Sequence, residues 1–297
     1  MGIHGLKTLI KKHAPKAVEE KPPSALIGMK VAVDTSITCY QIGSIARNAQ
    51  TDAAQWRSFR RLAISRCEYF KKLNMTPIFV FDGMPPAIKD YELNRRRALA
   101  VANNAQPIVT DEHFDILRKI ILAHGFQCVD APAEAEAQCA RMCREGIVDA
   151  VITEDGDALT FGAHMVIFGF NNSARQVTII TLRHVLDGLK LNMDGFIDLC
   201  ILLGCDYGPT LAGIGPVHAL KYIQAYGSIT KTLEAKRMTV PPDFHWIMPH
   251  YTFTDHETAL VQAWAPPINA AYIENIKQTD SAAANAEKGV FDDEDIA

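Results

Sequence analysis

Apolar and polar positions follow two periods along this chain. Short apolar runs that close on an acid, KVAVD at 30–34 and PIFVFD at 77–82, have the β-branched and aromatic content of buried strands. Between and after them, apolar residues recur at helical spacing over 6–12, 35–47, 55–73, 87–102 and 110–124, the last stopped by Gly125. Residues 126–129, 150–152, 165–168 and 176–180 read as further strands, and helices start at Leu182 and Met193. Such alternation predicts an α/β fold with a mainly parallel central sheet flanked by helices. From Asp194 onward strand signals vanish. The chain therefore divides into a core at 1–190, a helical region continuous with it at 191–278, and a tail at 279–297. That tail is rich in Ala, Asn, Asp and Glu, has little to bury, and is expected to be disordered.

The stretch 130–157, DAPAEAEAQCARMCREGIVDAVITEDGD, concentrates the candidate chemistry. Glu134 and Glu136 open a helical pattern after Pro132, and Asp155 and Asp157 flank Gly156 in a turn after Ala150-Val151-Ile152. Asp34 and Asp82 close the two apolar runs above, and Asp206 follows the apolar run 199–203. In open parallel sheets ligands bind beyond the carboxyl ends of the strands, where most of these acids fall. Carboxylates crowded into one crevice raise one another's pKa and need a cation to stay ionised; hard oxygen donors favour Mg2+ or Mn2+. Taken singly, acids in a first helical turn equally complement the helix dipole, and acids in turns are solvated. Recurrence at successive strand ends favours the metal site.

At 297 residues and 48% hydrophobic, the chain can bury a full core. It carries 34 acidic and 30 basic residues. Setting aside the crevice acids and Asp292, Asp293, Glu294 and Asp295 turns the balance basic, so nucleic acid is a permitted partner. Seven cysteines, an odd number without a CxxC pair, point to a reducing compartment and away from a disulfide framework or a zinc site. No apolar run approaches membrane-spanning length, no signal-peptide pattern opens the chain, and Leu6 stands where a myristoylation signal wants Ser or Thr. The expectation is no membrane contact, with a nuclear location in a eukaryote and a cytoplasmic one otherwise.

Cations collect after Asp82. Lys89 and Arg96 lie seven apart on the predicted helix 87–102, hence on one face, at the mouth of the acidic crevice where they would hold a phosphate; the alternative is a solvated face. Tyr40 could stack on a base or be half-buried against its own helix. Gly213-Ile214-Gly215 could bring backbone amides to a phosphate or serve as an interhelical turn.

Together, MGIHGL, VAVDTS, FVFDGMPP, DAPAEAEAQCA, TEDGDALTFG, DLCILLGCDY and GIGPVHAL, in this order over residues 1 to about 266, resemble the flap endonuclease family of structure-specific 5'-nucleases. The resemblance implies a PIN-like nuclease core with a helix-two-turn-helix DNA-binding region. It implies cleavage at the base of 5' flaps in DNA replication and repair by two divalent ions, Mg2+ with Mn2+ able to substitute. Asp34, Asp82, Glu134 and Glu136 would surround one ion and Asp155 and Asp157 the other, with Asp206 acting through water. Lys89 and Arg96 fall on the family's catalytic lysine and arginine, and Tyr40 on its stacking tyrosine. Gly2, Arg47, Gly213 and Gly215 are taken as further DNA contacts, and Thr210, Leu211 and Ile214 as positions whose backbone carbonyls hold K+. Two ions about 4 Å apart can activate a water and stabilise the leaving oxygen, while Lys89 and Arg96 neutralise developing charge. Residues two apart on a regular helix do not share a face, so the helix start has to aim one of Glu134 and Glu136 directly and the other obliquely.

The chain departs from this pattern in three places. Between Arg97 and Val109 a short polar segment stands where the family carries a second arch helix, which leaves threading of a flap through a closed cap in doubt. Ala212, Val217 and His218 stand where basic residues are usual, predicting a weaker grip on duplex. No sliding-clamp motif is recognisable near the C-terminus, and a monomer acting on branched or flapped DNA is expected. Three readings follow: a flap endonuclease with a reduced arch, a 5' to 3' exonuclease or gap-directed nuclease, and a catalytically inactive DNA-binding scaffold.

Overall fold

The computed structural model describes residues 2–103, 107–241, 244–255 and 269–292. Helix α1 (Leu6–His13) buries Leu6, Leu9 and Ile10 and leaves Lys11 and Lys12 exposed. Strand β1 (Val18–Lys21) follows, unannounced by the hydrophobic pattern because its sequence VEEK is exposed beyond Val18. It is an edge strand, and its charged residues discourage pairing with another chain. β2 (Lys30–Asp34) runs directly into α2 (Thr35–Ala46), then come α3 (Asp52–Lys72) and β3 (Thr76–Phe81). A 3-10 turn at Ala87–Lys89 leads into α4 (Asp90–Ala102), which connects to α5 (Asp111–Ala123) and β4 (Gln127–Asp130). Next are α6 (Ala135–Arg144), β5 (Ala150–Ile152), the single turn α7 (Asp157–Thr160), β6 (Met165–Phe168), β7 (Val177–Thr181) and α8 (Leu182–Leu189). The remaining described chain is helical: α9 (Met193–Leu203), α10 (Pro216–Tyr226), α11 (Ile229–Lys236), α12 (Ile247–Thr254) and α13 (Ala270–Asp292).

The seven strands form one sheet in the order β1-β7-β6-β5-β2-β3-β4. Strands β4, β3, β2, β5 and β6 are parallel, with Val33 opposite both Phe79 and Ile152; β7 and β1 are antiparallel additions at one edge. Strand alternation divides the core. Val31, Val33, Phe79 and Ile152 pack with Ile42 of α2, Phe59 and Phe70 of α3, and Leu117 of α5. Ala32, Ile78, Val80 and Val151 pack with Leu6 of α1, Met142 of α6, and Leu199 of α9. After β2 the chain moves outward through β3 and β4, then returns to the other side of β2 as β5. Such a reversal opens a crevice beyond the carboxyl ends of the strands, and it lies at Asp34.

Residues from Thr279, expected to be disordered, instead continue α13 to Asp292. Alanines 282 to 284 are strong helix formers, and the preceding turns are docked on α3. Ile273 is buried, Lys277 Nζ donates to Glu68 at 2.7 Å, and Arg60 Nε donates to Asp280 Oδ2 at 3.1 Å. Asp293, Glu294 and Asp295 lie outside the described residues. No helix among the described residues is long and apolar enough to cross a membrane.

Candidate active site

Each acid of the crevice is placed by the end of a regular element. Asp34 is the last residue of β2 and the N-cap of α2, where it accepts from the Ile37 amide at 3.3 Å, and Thr153 Oγ1 donates to its other oxygen at 3.0 Å. Asp82 follows β3, accepting from the Ala135 amide at 2.8 Å and from the Ser36 hydroxyl. Asp155 follows β5 and accepts from the Asp157 amide at 2.9 Å, and Asp157 is the first residue of α7. Asp206 sits just beyond the C-terminus of α9. The apolar run preceding it lies in that helix, buried from Gly195 to Leu203, as the pattern starting at Met193 predicts.

The spacing of Glu134 and Glu136 is resolved by the helix start. Glu134 is the N-cap of α6 with extended backbone (φ −93°, ψ 138°), whereas Glu136 already lies in the first turn. One extended residue replaces the helical rotation, so both carboxylates reach the same cleft.

That cleft, about 750 Å3, is lined by Asp34, Asp82, Glu134, Glu136, Asp155 and Asp206, with Lys89 reaching over it from the turn before α4 and Arg96 from the middle of that helix. Lys89 Nζ donates to Glu134 and lies 3.5 Å from Asp206 Oδ2. Arg96 Nη2 donates to both Asp206 oxygens at 2.8 Å, and its Nε to Glu92 at 2.7 Å. Burial opposes the charge on Lys89, but Glu134, Glu136 and Asp206 outweigh it and hold the ammonium above its ordinary range. Seven residues apart in sequence, the two cations thus meet one carboxylate.

Burial first, and neighbouring carboxylates after it, push Asp34, Glu136, Asp155 and Asp157 upward. Asp34 is raised to about 7 by burial and then by Asp82. Glu136 is raised by burial and by Asp34, Asp82 and Asp155, while Asp157 is raised by burial and by Asp155 and Asp206. Asp157 is 4% exposed, and its Oδ1 has no hydrogen-bond partner. Among the described residues no three of these groups are drawn tightly enough to close a metal shell, Lys89 and Arg96 being paired with Glu134 and Asp206 instead. The donor set nonetheless fits a hard divalent cation. It is all oxygen and crowded, with Asp34, Glu134, Asp155, Asp157 and Asp206 buried and an acceptor atom left unsatisfied.

These shifts carry a pH consequence. A carboxyl raised in the folded protein binds protons the unfolded chain does not, so its contribution to stability is largest below about pH 4 and is lost as pH rises through the raised value. The Tm of the metal-free protein should therefore rise as pH is lowered from about 8 to about 5.5. Thermal melts across that range check this: saturating Mg2+ should flatten the trend, and Asp34→Asn, which still caps α2, should reduce it.

The candidate DNA contacts come from three places in the chain, and of them Tyr40 lines this cleft. Tyr40, 43% exposed, lines it from α2, and Arg47 caps the far end of that helix on the surface. Gly2 packs behind the acids with φ +82°, and a Cβ there would stand 2.0 Å from Asp155 Oδ1. Gly2→Ala should consequently cost both stability and cleavage, with Tm and single-turnover rate falling together; an active variant of unchanged Tm would show that the segment moves aside. The turn between α9 and α10 carries Thr210, Leu211, Gly213, Ile214 and Gly215. Gly213 is left-handed (φ +83°) and Gly215 is the N-cap of α10, and a Cβ at either would meet nothing within 4 Å. Leu211 and Ile214 are buried, so only their backbones are available for the K+ role.

Sequence reasoning missed the groups that hold the acids: Ser36, Thr153 and above all Tyr207, whose hydroxyl donates to Glu134 Oε2. Adjacency to Asp34, Asp155 and Asp206 was the available signal. It also missed Arg118 of α5, which lines the cleft with its guanidinium 3.8 Å from the Phe81 ring centroid.

Comparison with known proteins accords with this geometry. Residues 1–103 match the XPG N-terminal domain and residues 125–206 the XPG I-region. Flap endonuclease 1 of Aedes aegypti is 36% identical over 87% of this chain and 76% of its own length. The chain belongs to the flap endonuclease family. Flap endonuclease 1 of Cryptosporidium parvum is likewise 36% identical over 82% of this chain, which spans 59% of that relative's length. The catalytic core of Rad2 in complex with a DNA substrate shares the fold, with a TM-score of 0.76 at 22% identity over 94% of this chain and 95% of that one. Family membership agrees with the mainly parallel sheet and the helical C-terminal region.

Proposed function

We propose that this flap endonuclease family member is a structure-specific 5' nuclease that cuts DNA at the base of 5' flaps in replication and repair, using two divalent ions, Mg2+ or Mn2+. The observation that carries this reading is the convergence of Asp34, Asp82, Glu134, Glu136, Asp155 and Asp206 in one cleft with Lys89 and Arg96 over it. Asp157 would complete the donor set through its unpaired Oδ1. When bound, such ions supply activation of the attacking water and stabilisation of the leaving oxygen.

The chain's own residues do the rest. Lys89 and Arg96 exchange Glu134 and Asp206 for the scissile phosphate and neutralise the charge that builds on its oxygens. Tyr40 offers a face on which a base stacks beside the cleft. The turn carrying Gly213 and Gly215 meets the duplex backbone through amides, with the carbonyls of Thr210, Leu211 and Ile214 around K+. Its partner is branched or flapped DNA, which it meets as a monomer, in the nucleus of a eukaryote or the cytoplasm otherwise.

A second reading, 5' to 3' exonuclease or gap-directed cleavage, is favoured by one observation. α4 ends at Ala102 and α5 begins at Asp111, and Val109 is buried where Gly43 of α2 leaves room for it, a Cβ there standing 2.6 Å from Val109 Cγ1. The test is cleavage of three end-labelled DNAs with and without Mg2+: a double flap, the same flap with its 5' end blocked, and a nicked duplex. Mg2+-dependent cutting of the free flap near its base, and not of the blocked one, supports flap cleavage by threading. Equal cutting of blocked and free flaps, or digestion from the nick, favours the second reading. DNA binding without cutting would leave a scaffold.

A further inference from the structure

Tyr207 has no part in the chemistry above, yet it is built into the site more firmly than any cation there. It follows Asp206 beyond α9, is 3% exposed, and donates its hydroxyl to Glu134 Oε2, while Lys89 holds Oε1 of the same carboxylate. Its ring is gripped edge-on by Phe253 of α12, centroids 5.0 Å apart at 76°, and by Phe161 after α7, 6.4 Å at 78°. The two donors on Glu134 differ in kind. Lys89 is a flexible cation at the end of a helix reaching over the cleft, and in the proposed reaction it leaves Glu134 for the phosphate. A neutral phenol locked by two aromatic rings has nowhere to go and adds no charge that competes with a cation.

We propose that Tyr207 is a positioning residue for the metal site: it fixes the Glu134 carboxylate by its inner oxygen, Oε2, so that Oε1 stays aimed into the cleft once Lys89 departs. The inference rests on the two-ion reading of the cleft. Glu134 needs such a support because, although its carbonyl accepts from the Gln138 amide at 3.2 Å, its side chain caps nothing, and its carboxylate is held by Tyr207 and Lys89. Groups that orient a ligand in this way are worth about 10- to 100-fold in metal affinity.

Calorimetric titration of the full chain with Mn2+, without DNA, tests it on the wild type, Tyr207→Phe and Phe253→Leu. Tyr207→Phe keeps the ring and removes only the hydroxyl, and should bind Mn2+ about tenfold more weakly with little change in Tm. Phe253→Leu loosens the ring but keeps the hydroxyl, and should lower Tm while moving Mn2+ affinity less. Single-turnover cleavage by Tyr207→Phe should need correspondingly more Mg2+ to reach half its maximum and recover at high Mg2+. An unchanged Mn2+ isotherm for Tyr207→Phe beside a binding wild type would overturn the proposal alone. Were Tyr207→Phe to misfold, Phe253→Leu, which keeps the hydroxyl but frees the ring, decides: weaker Mn2+ binding would support the proposal, and an unchanged Mn2+ isotherm at a lowered Tm would overturn it. A wild type that binds no Mn2+ would remove both the proposal and the two-ion reading.

Discussion

Asp157→Asn should lower the single-turnover cleavage rate by at least about a thousandfold and at the same time make the metal-free protein more stable. The two signs come from one environment. Asp157 is buried, its Oδ1 is unpaired, and the nearest charges pressing on it are Asp155 and Asp206, so its ionised form is opposed on every side but that of Lys89. Removing one partner of a buried ion pair normally destabilises; removing one member of a crowd of like charges relieves it. Asparagine keeps the shape and gives up both the charge and a metal-ligating oxygen. Thermal melts near pH 8 should show a higher Tm for the variant without divalent ions, and the advantage should disappear in saturating Mg2+, which stabilises only the protein that binds it. Binding to a flap substrate should be unchanged or tighter, since a negative charge has left the cleft. Cleavage at near wild-type rate would contradict the metal role of this residue.

Lys89→Ala should lower the single-turnover rate by about 10²- to 10³-fold while changing flap affinity by no more than about threefold. The ammonium is enclosed, with 14% of its side chain exposed, and Arg96 adds a guanidinium on the same Asp206 carboxylate. Positive charge held this way in a cleft is most effective against the charge that develops in the transition state, and less so against the duplex backbone outside. Rapid-quench kinetics beside equilibrium binding separates the two: equal losses in rate and affinity would reduce Lys89 to a substrate-positioning role. Without DNA the same variant should bind Mn2+ more tightly, because Lys89 no longer competes for Glu134 and Asp206.

Much of this was legible in the residue pattern. KVAVD and PIFVFD each announce a buried strand and the acid beyond it, since burial on both faces demands an unbroken apolar run and the first polar residue must fall at its end. The seven-residue spacing of Lys89 and Arg96 announces a shared face, which Asp206 uses. β1 was not legible, because an edge strand such as VEEK buries too little for alternation to show. The course of residues 279–292 was not legible either: the start of their helix is tied to α3 by Lys277 on Glu68 and Arg60 on Asp280, more than two hundred residues apart in sequence.

By itself the sequence determined which acids the protein owns, which elements they terminate, and the family to which it belongs, because strand length, helix period and motif order are local properties of the chain. Only the tertiary structure decided that β5 returns beside β2 and so brings Asp155 to Asp34, that an extended N-cap turns Glu134 and Glu136 into one cleft, and that Tyr207 holds the first of them. Those are consequences of packing between residues far apart in sequence, where the energy of a contact depends on three-dimensional register that no local pattern encodes.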